Sequence, residues 1–188
     1  FSFQPDDALN NSHAPILLLR TTVSRVEATA LLGLLNSSVA CFWMKQVFKQ
    51  KGSASSDISK RGFAPENDRY EFGSTGMKKF PLPSNWRTSK TLQLLSCRLV
   101  DLARAREAIR PVSILAEWSK SGSDDLHELI RSAEQKTSDI EREMYAAQED
   151  LDWVVYGLYG LAPMPSDSSY ASAIEMEQRP FCWSDGAP

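Results

Sequence analysis

Ser24-Arg-Val-Glu-Ala-Thr-Ala-Leu-Leu-Gly-Leu-Leu-Asn-Ser-Ser-Val-Ala-Cys-Phe-Trp-Met-Lys-Gln-Val-Phe48 is the stretch whose reading decides the fold. Ala28, Leu31, Leu32, Leu35, Val39, Phe42 and Trp43 recur at three- and four-residue steps, the stripe of an amphipathic helix. Ser24 stands three residues before Glu27, the spacing at which a serine hydroxyl and a glutamate carboxylate reciprocally satisfy the first free N–H groups. Asn36-Ser-Ser38 predicts a break or bend, with helix resuming from Ala40 to Phe48. Lys45, Lys49 and Lys51 gather where a helix C-terminus favours cations, and Gly52 suits its end.

Upstream, Ala14-Pro-Ile-Leu-Leu-Leu-Arg20 reads as a short buried strand. Downstream, residues 52–69 are polar and poor in apolar anchors. Arg69–Phe72 alternates like a strand, Gly73 and Gly76 bracket a turn, and Met77–Phe80 reads as another strand stopped by Pro81-Leu-Pro83. From Trp86 the pattern turns helical. Ser89–Ile109 carries Leu92, Leu95, Leu99, Leu102 and Ala103 on one face, and Pro111 ends it. A short element, Ile114–Trp118, and a loop to Asp124 lead into a long helix reaching about Leu158, with Gly160 placed to terminate it. The expectation is a predominantly helical α+β fold with a small mixed or antiparallel sheet, followed by a long antiparallel helical pair. The divisions are a recognition lobe over 1–85, a helical spacer or clamp over 86–161 and an irregular tail over 162–188.

With 42% hydrophobic residues in 188, the chain has material for a core, and its longest apolar runs are too short to span a bilayer. No secretory leader is visible, and the start at Phe1 rather than Met points to an excised segment. Cys41, Cys97 and Cys182 form no Cys-x-x-Cys pair, which favours two core thiols and one tail thiol in a reducing compartment and a cytoplasmic location. The net charge of −3 hides an asymmetry. Residues 45–90 hold 10 basic and 4 acidic side chains, a balance of +6, against −1 over 1–44 and −8 over 91–188. A positive field concentrated on one part of a molecule suits a polyanion.

Catalytic chemistry is sparse. His13 and His127 lack a Cys, Ser or second His at triad or ligand spacing, and no glycine-rich phosphate cradle or nuclease-type acidic cluster appears. Glu141, Glu143, Glu149, Asp150 and Asp152 read as a solvated helix face. No catalytic, cofactor or metal residues are assigned.

Three stretches in this order and spacing carry a resemblance. They are Leu31–Gln46, then Tyr70-Glu-Phe-Gly-Ser-Thr-Gly-Met-Lys-Lys-Phe-Pro-Leu-Pro83, then Leu151-Asp-Trp-Val-Val-Tyr-Gly-Leu-Tyr-Gly-Leu161 preceded by Glu141-Arg-Glu-Met. Together they resemble the C-terminal target-recognition and helical region of PglX-type adenine-specific DNA methyltransferases of BREX or phage-growth-limitation systems, relatives of the Eco57I-like restriction–modification enzymes. The family's methyltransferase domain, with its cofactor-binding glycine motif and Asn-Pro-Pro-Tyr motif, has no counterpart in this chain. The resemblance implies a non-catalytic part that holds double-stranded DNA while a separate methyltransferase domain, carrying S-adenosylmethionine, acts on the base. Lys45, Gln46, Lys49, Lys51, Ser53, Lys60, Arg61, Arg69, Lys78 and Lys79 are the expected DNA-contacting residues. Other defence-system proteins are further expected partners, and a membrane is not. The competing expectation is a helical assembly module in which the long acidic helix pairs with itself or with such partners.

Overall fold

The computed structural model describes residues 1–3, 16–48, 50–51, 69–70, 72–121 and 126–163. Helix α1 (Arg25–Leu35) begins at the expected capping box: the Glu27 N–H donates to Ser24 Oγ, and Glu27 Oε2 accepts from the Ser24 backbone N–H at 2.8 Å. The chain turns at Asn36 and Ser37 and resumes as α2 (Ser38–Val47), bent 62° from α1. The break has a local cause. Ser37 donates its hydroxyl back to the Leu34 carbonyl at 2.7 Å and accepts from the Ala40 N–H, ending one helix and capping the next.

After α2 comes a minimal ladder, β1 (Gln50–Lys51) against β2 (Arg69–Tyr70), antiparallel with Gln50 opposite Tyr70 and Lys51 opposite Arg69. One helical turn, α3 (Ser74–Met77), precedes α4 (Lys90–Ala108), α5 (Pro111–Ser121) and the 33-residue α6 (Leu126–Leu158). Helix α6 closes with Gly160 at φ +69°: the Leu161 N–H reaches the Tyr156 carbonyl and the Gly160 N–H reaches that of Gly157, satisfying the carbonyls a helix end leaves free.

The α+β expectation is overturned: the chain is predominantly helical, and among the described residues no sheet forms a layer of the fold. Ile16–Leu19, expected as a buried strand, has no regular structure and is exposed, since no described backbone pairs with it. Met77–Phe80 is not a strand. The Met77 side chain is drawn inward against Met44 and Phe48, and the backbone coils, with the Lys79 N–H bonded to Gly76 and the Phe80 N–H to Met77. Over Arg69–Phe72, pairing stops at the two-residue ladder among the described residues. The short element expected at Ile114–Trp118 is a full helix, because Pro111 opens it at the position where a missing N–H costs nothing.

Two adjoining clusters form the core. In one, Ala30 and Leu34 of α1 and Leu92 of α4 meet Leu151, Val154 and Val155 of α6 under Trp86. In the other, Leu35, Ala40, Met44, Phe48 and Met77 pack beneath Trp43, Tyr70 and Phe80. Helices α4 and α6 run antiparallel, Leu92 lying by Leu151 while Arg98 meets Glu143 and Arg106 meets Glu141. No single helix among the described residues is long and apolar enough to cross a membrane.

Candidate nucleic-acid interface

The second cluster decides which basic residues share a surface. Its rings pack edge to face: Trp43 on Phe48 at 6.2 Å, Trp43 on Phe80 at 5.2 Å and Phe48 on Phe72 at 5.1 Å. Through these contacts the C-terminal end of α2 is held against α3 and the turn after it. Exposed Lys45 and Gln46 on α2 and exposed Lys78 and Lys79 beyond α3 therefore belong to one lobe, although more than 30 positions separate them in the chain. Gly76 permits the contact: a Cβ there would stand 2.3 Å from Phe48 Cε1.

The ladder adds a second constraint. By pairing Lys51 with Arg69 it brings together the two ends of the polar segment between them, so both positions lie beside the same aromatic cluster. Lys49, Ser53, Lys60 and Arg61 lie outside the described residues, as do Asn67 and His13. His127 is exposed on the first turn of α6. Trp86 is buried while Arg87 is exposed, its guanidinium 5.2 Å from the Trp86 ring. No group of three or more His, Cys, Asp or Glu side chains among the described residues is placed to hold a metal ion.

The acidic side chains of α6 are less uniform than a solvated face. Glu141 pairs with Arg106 at 2.7 Å and Glu143 with Arg98 at 3.4 Å, while Asp152 is 3% exposed. Asp152 Oδ1 accepts from the Ser38 N–H at 2.8 Å and Oδ2 from the Ser38 hydroxyl at 2.6 Å, with Gln148 donating at 3.3 Å. A carboxylate from α6 thus caps the N-terminus of α2, where the helix dipole favours a negative charge. The other end of α2 carries Lys45, so this contact helps set the direction in which that end points. Sequence periodicity gave no warning of it, since the partner lies 114 residues away.

At 38% identity over 150 residues, the chain is similar to "Adenine-specific methyltransferase PglX" of Streptomyces coelicolor (strain ATCC BAA-471 / A3(2) / M145). This is a PglX-like relationship. The similarity covers 79% of the chain but only 12% of the length of PglX. The likeness extends to that stretch of PglX alone. No protein-family model and no solved structure matches the chain.

Proposed function

We propose that this chain is the DNA-binding target-recognition and helical part of a bacterial adenine-N6 DNA methyltransferase, serving phage defence or restriction–modification in the cytoplasm. It holds the duplex, while methyl transfer and S-adenosylmethionine belong to a methyltransferase domain elsewhere in the enzyme. The observation that carries this reading is the convergence of Lys45 and Gln46 with Lys78 and Lys79 around one aromatic cluster, beside the paired positions Lys51 and Arg69. Lysines at such a surface neutralise phosphates and release counterions, whereas a glutamine has the paired donor and acceptor suited to an adenine edge. The PglX-like relationship supports the same reading, as does the acidic balance of the rest of the chain, which repels a polyanion and confines contact to this lobe.

Fluorescence anisotropy of a labelled duplex across a salt series tests it. Affinity should fall steeply with salt, and changing Lys45, Lys78 and Lys79 to alanine together should flatten the log–log slope by roughly 0.9 per lost phosphate contact. Gln46→Ala should lower affinity for the cognate sequence and leave the slope unchanged. A folded chain that binds no duplex at low salt removes the DNA-holding role from these residues.

A further inference from the structure

Phe42 is the ring that α2 leaves outside the core. Trp43, Phe48, Phe72 and Phe80 pack on one another, whereas Phe42 is 57% exposed and joins neither core cluster. At about 3.6 residues per turn it falls opposite buried Ala40 and Met44, with Lys45 and Gln46 one turn further along the same exposed face. The helix that presents it is firmly held. Ser37 and Asp152 cap its start, and Trp43, Met44 and Phe48 anchor its other side in the second cluster.

A single exposed ring calls for no partner by itself. Its surroundings choose one. Neither Ala28–Phe48 nor Phe72–Val100 contains an Asp or Glu, and Lys78 and Lys79 stand exposed in the same lobe with no ion pair among the described residues. Asp152, the carboxylate bonded to Ser38, is buried. An apolar ring set among lysines and a glutamine suits a polyanion that also offers apolar groups. Duplex DNA does so, because the thymine C5-methyl stands in the major groove beside the donors and acceptors of the base edges.

We infer that Phe42 is a specificity-determining residue that packs on a thymine methyl group in the major groove, beside the adenine edge met by Gln46. The inference rests on the DNA-binding reading above and adds a second base to it. Helix α2 has 10 residues and presents Phe42, Lys45 and Gln46 on one side, so a single helix laid in a groove about 12 Å wide brings all three against the duplex. Four residues separate Phe42 from Gln46, a rise of about 6 Å, and base pairs stack about 3.4 Å apart. The thymine therefore lies one or two base pairs from the adenine.

Selection of bound duplexes from a randomised library, followed by fluorescence anisotropy on the enriched site, tests it. The unchanged chain should enrich an adenine with a thymine one or two base pairs away. Replacing that thymine by deoxyuridine removes the methyl group alone and should weaken binding about three- to fivefold, the worth of one buried methyl. Phe42→Ala should bind the thymine and deoxyuridine duplexes equally and still prefer the adenine. Its salt slope should match that of the unchanged chain, since no phosphate contact is lost. Circular dichroism checks that the variant folds, and the deoxyuridine duplex probes the same contact without altering the protein. The inference is overturned, with the DNA-holding role left in place, by any of three results on a chain that binds duplex. These are no thymine enriched near the Gln46-dependent adenine, equal binding of the two duplexes by the unchanged chain, and a Phe42→Ala variant that still tells them apart. A folded chain that binds no duplex at low salt overturns both.

Discussion

Asp152 shows how far a single side chain can depart from the pattern around it. Periodicity groups it with Glu141, Glu143, Glu149 and Asp150, yet it is buried and satisfies the first N–H of α2. Removing it leaves the part-buried Ser38 N–H and hydroxyl without this acceptor, and buried donors left unmet cost about 1–3 kcal/mol each. Asp152→Ala should therefore lower unfolding stability in urea by roughly 2–4 kcal/mol. An unchanged midpoint would mean that Ser38 finds another acceptor. Tyr159 offers a second reading at this scale. Its hydroxyl donates to the Pro81 carbonyl at 2.6 Å, and burial pushes the phenol up to about 12. Because the folded value lies above the ordinary one of about 10, the contribution to stability is complete below pH 10 and is lost as pH rises toward 12. Tyrosinate absorbance should show one tyrosine titrating late. Tyr159→Phe should abolish that step and cost about 1 kcal/mol near neutrality through the lost hydrogen bond.

Between elements, α1 and α4 approach closely where they cross. Gly33 faces Ser96, and a Cβ on Gly33 would lie 2.1 Å from Ser96 Oγ and 3.0 Å from Leu151 Cδ1. Alanine normally stabilises a helix interior relative to glycine by about 1 kcal/mol. Here the contact reverses the sign. Gly33→Ala should destabilise by about 1–3 kcal/mol through overpacking, and Ser96→Gly should restore part of that loss in the double variant. Additive effects in the double-mutant cycle would show that the helices separate without strain. Ser96 Oγ is buried with no hydrogen-bond partner among the described residues, so its presence reflects the fit of this crossing rather than a polar network. The ends of the elements rest on nearer chemistry. The Ser24–Glu27 box, the Ser37 turn and the Gly160 stop all use residues within a turn of the boundary they set.

For the whole molecule, α6 is the common wall. Its C-terminal third packs on α1 and α4 through Leu151, Val154 and Val155, and it holds α2 through Asp152. The basic lobe and the long helices thus share one core. Unfolding monitored by far-ultraviolet circular dichroism and by tryptophan fluorescence should give superimposable transitions. Separated midpoints would show that the lobe around Trp43 and Phe48 melts on its own. The same connection orients the surface carrying Lys45 and Lys78 through a helix that contributes none of its described basic residues to it. The two ion pairs between α4 and α6, Arg98–Glu143 and Arg106–Glu141, lie toward solvent, add little to stability and chiefly set the facing of the two helices.

What the sequence by itself determined lies within a few residues of each signal: the capping box, the bend at Asn36–Ser37, the α4 and α6 stripes, the Gly160 terminus and the basic balance of residues 45–90. These depend on backbone hydrogen bonds and helical spacing, which act over one or two turns. The tertiary structure alone decided that Ile16–Leu19 lies exposed, that Met77 coils inward instead of extending, and that Asp152 leaves the acidic face for the end of α2. It also decided that Lys45 and Lys78 share a lobe and that Val112 and Leu115 of α5 lie exposed among the described residues. The reason is physical. A short apolar run fits a strand, a turn or a helix almost equally well, and burial against partners far along the chain supplies the energy that chooses among them.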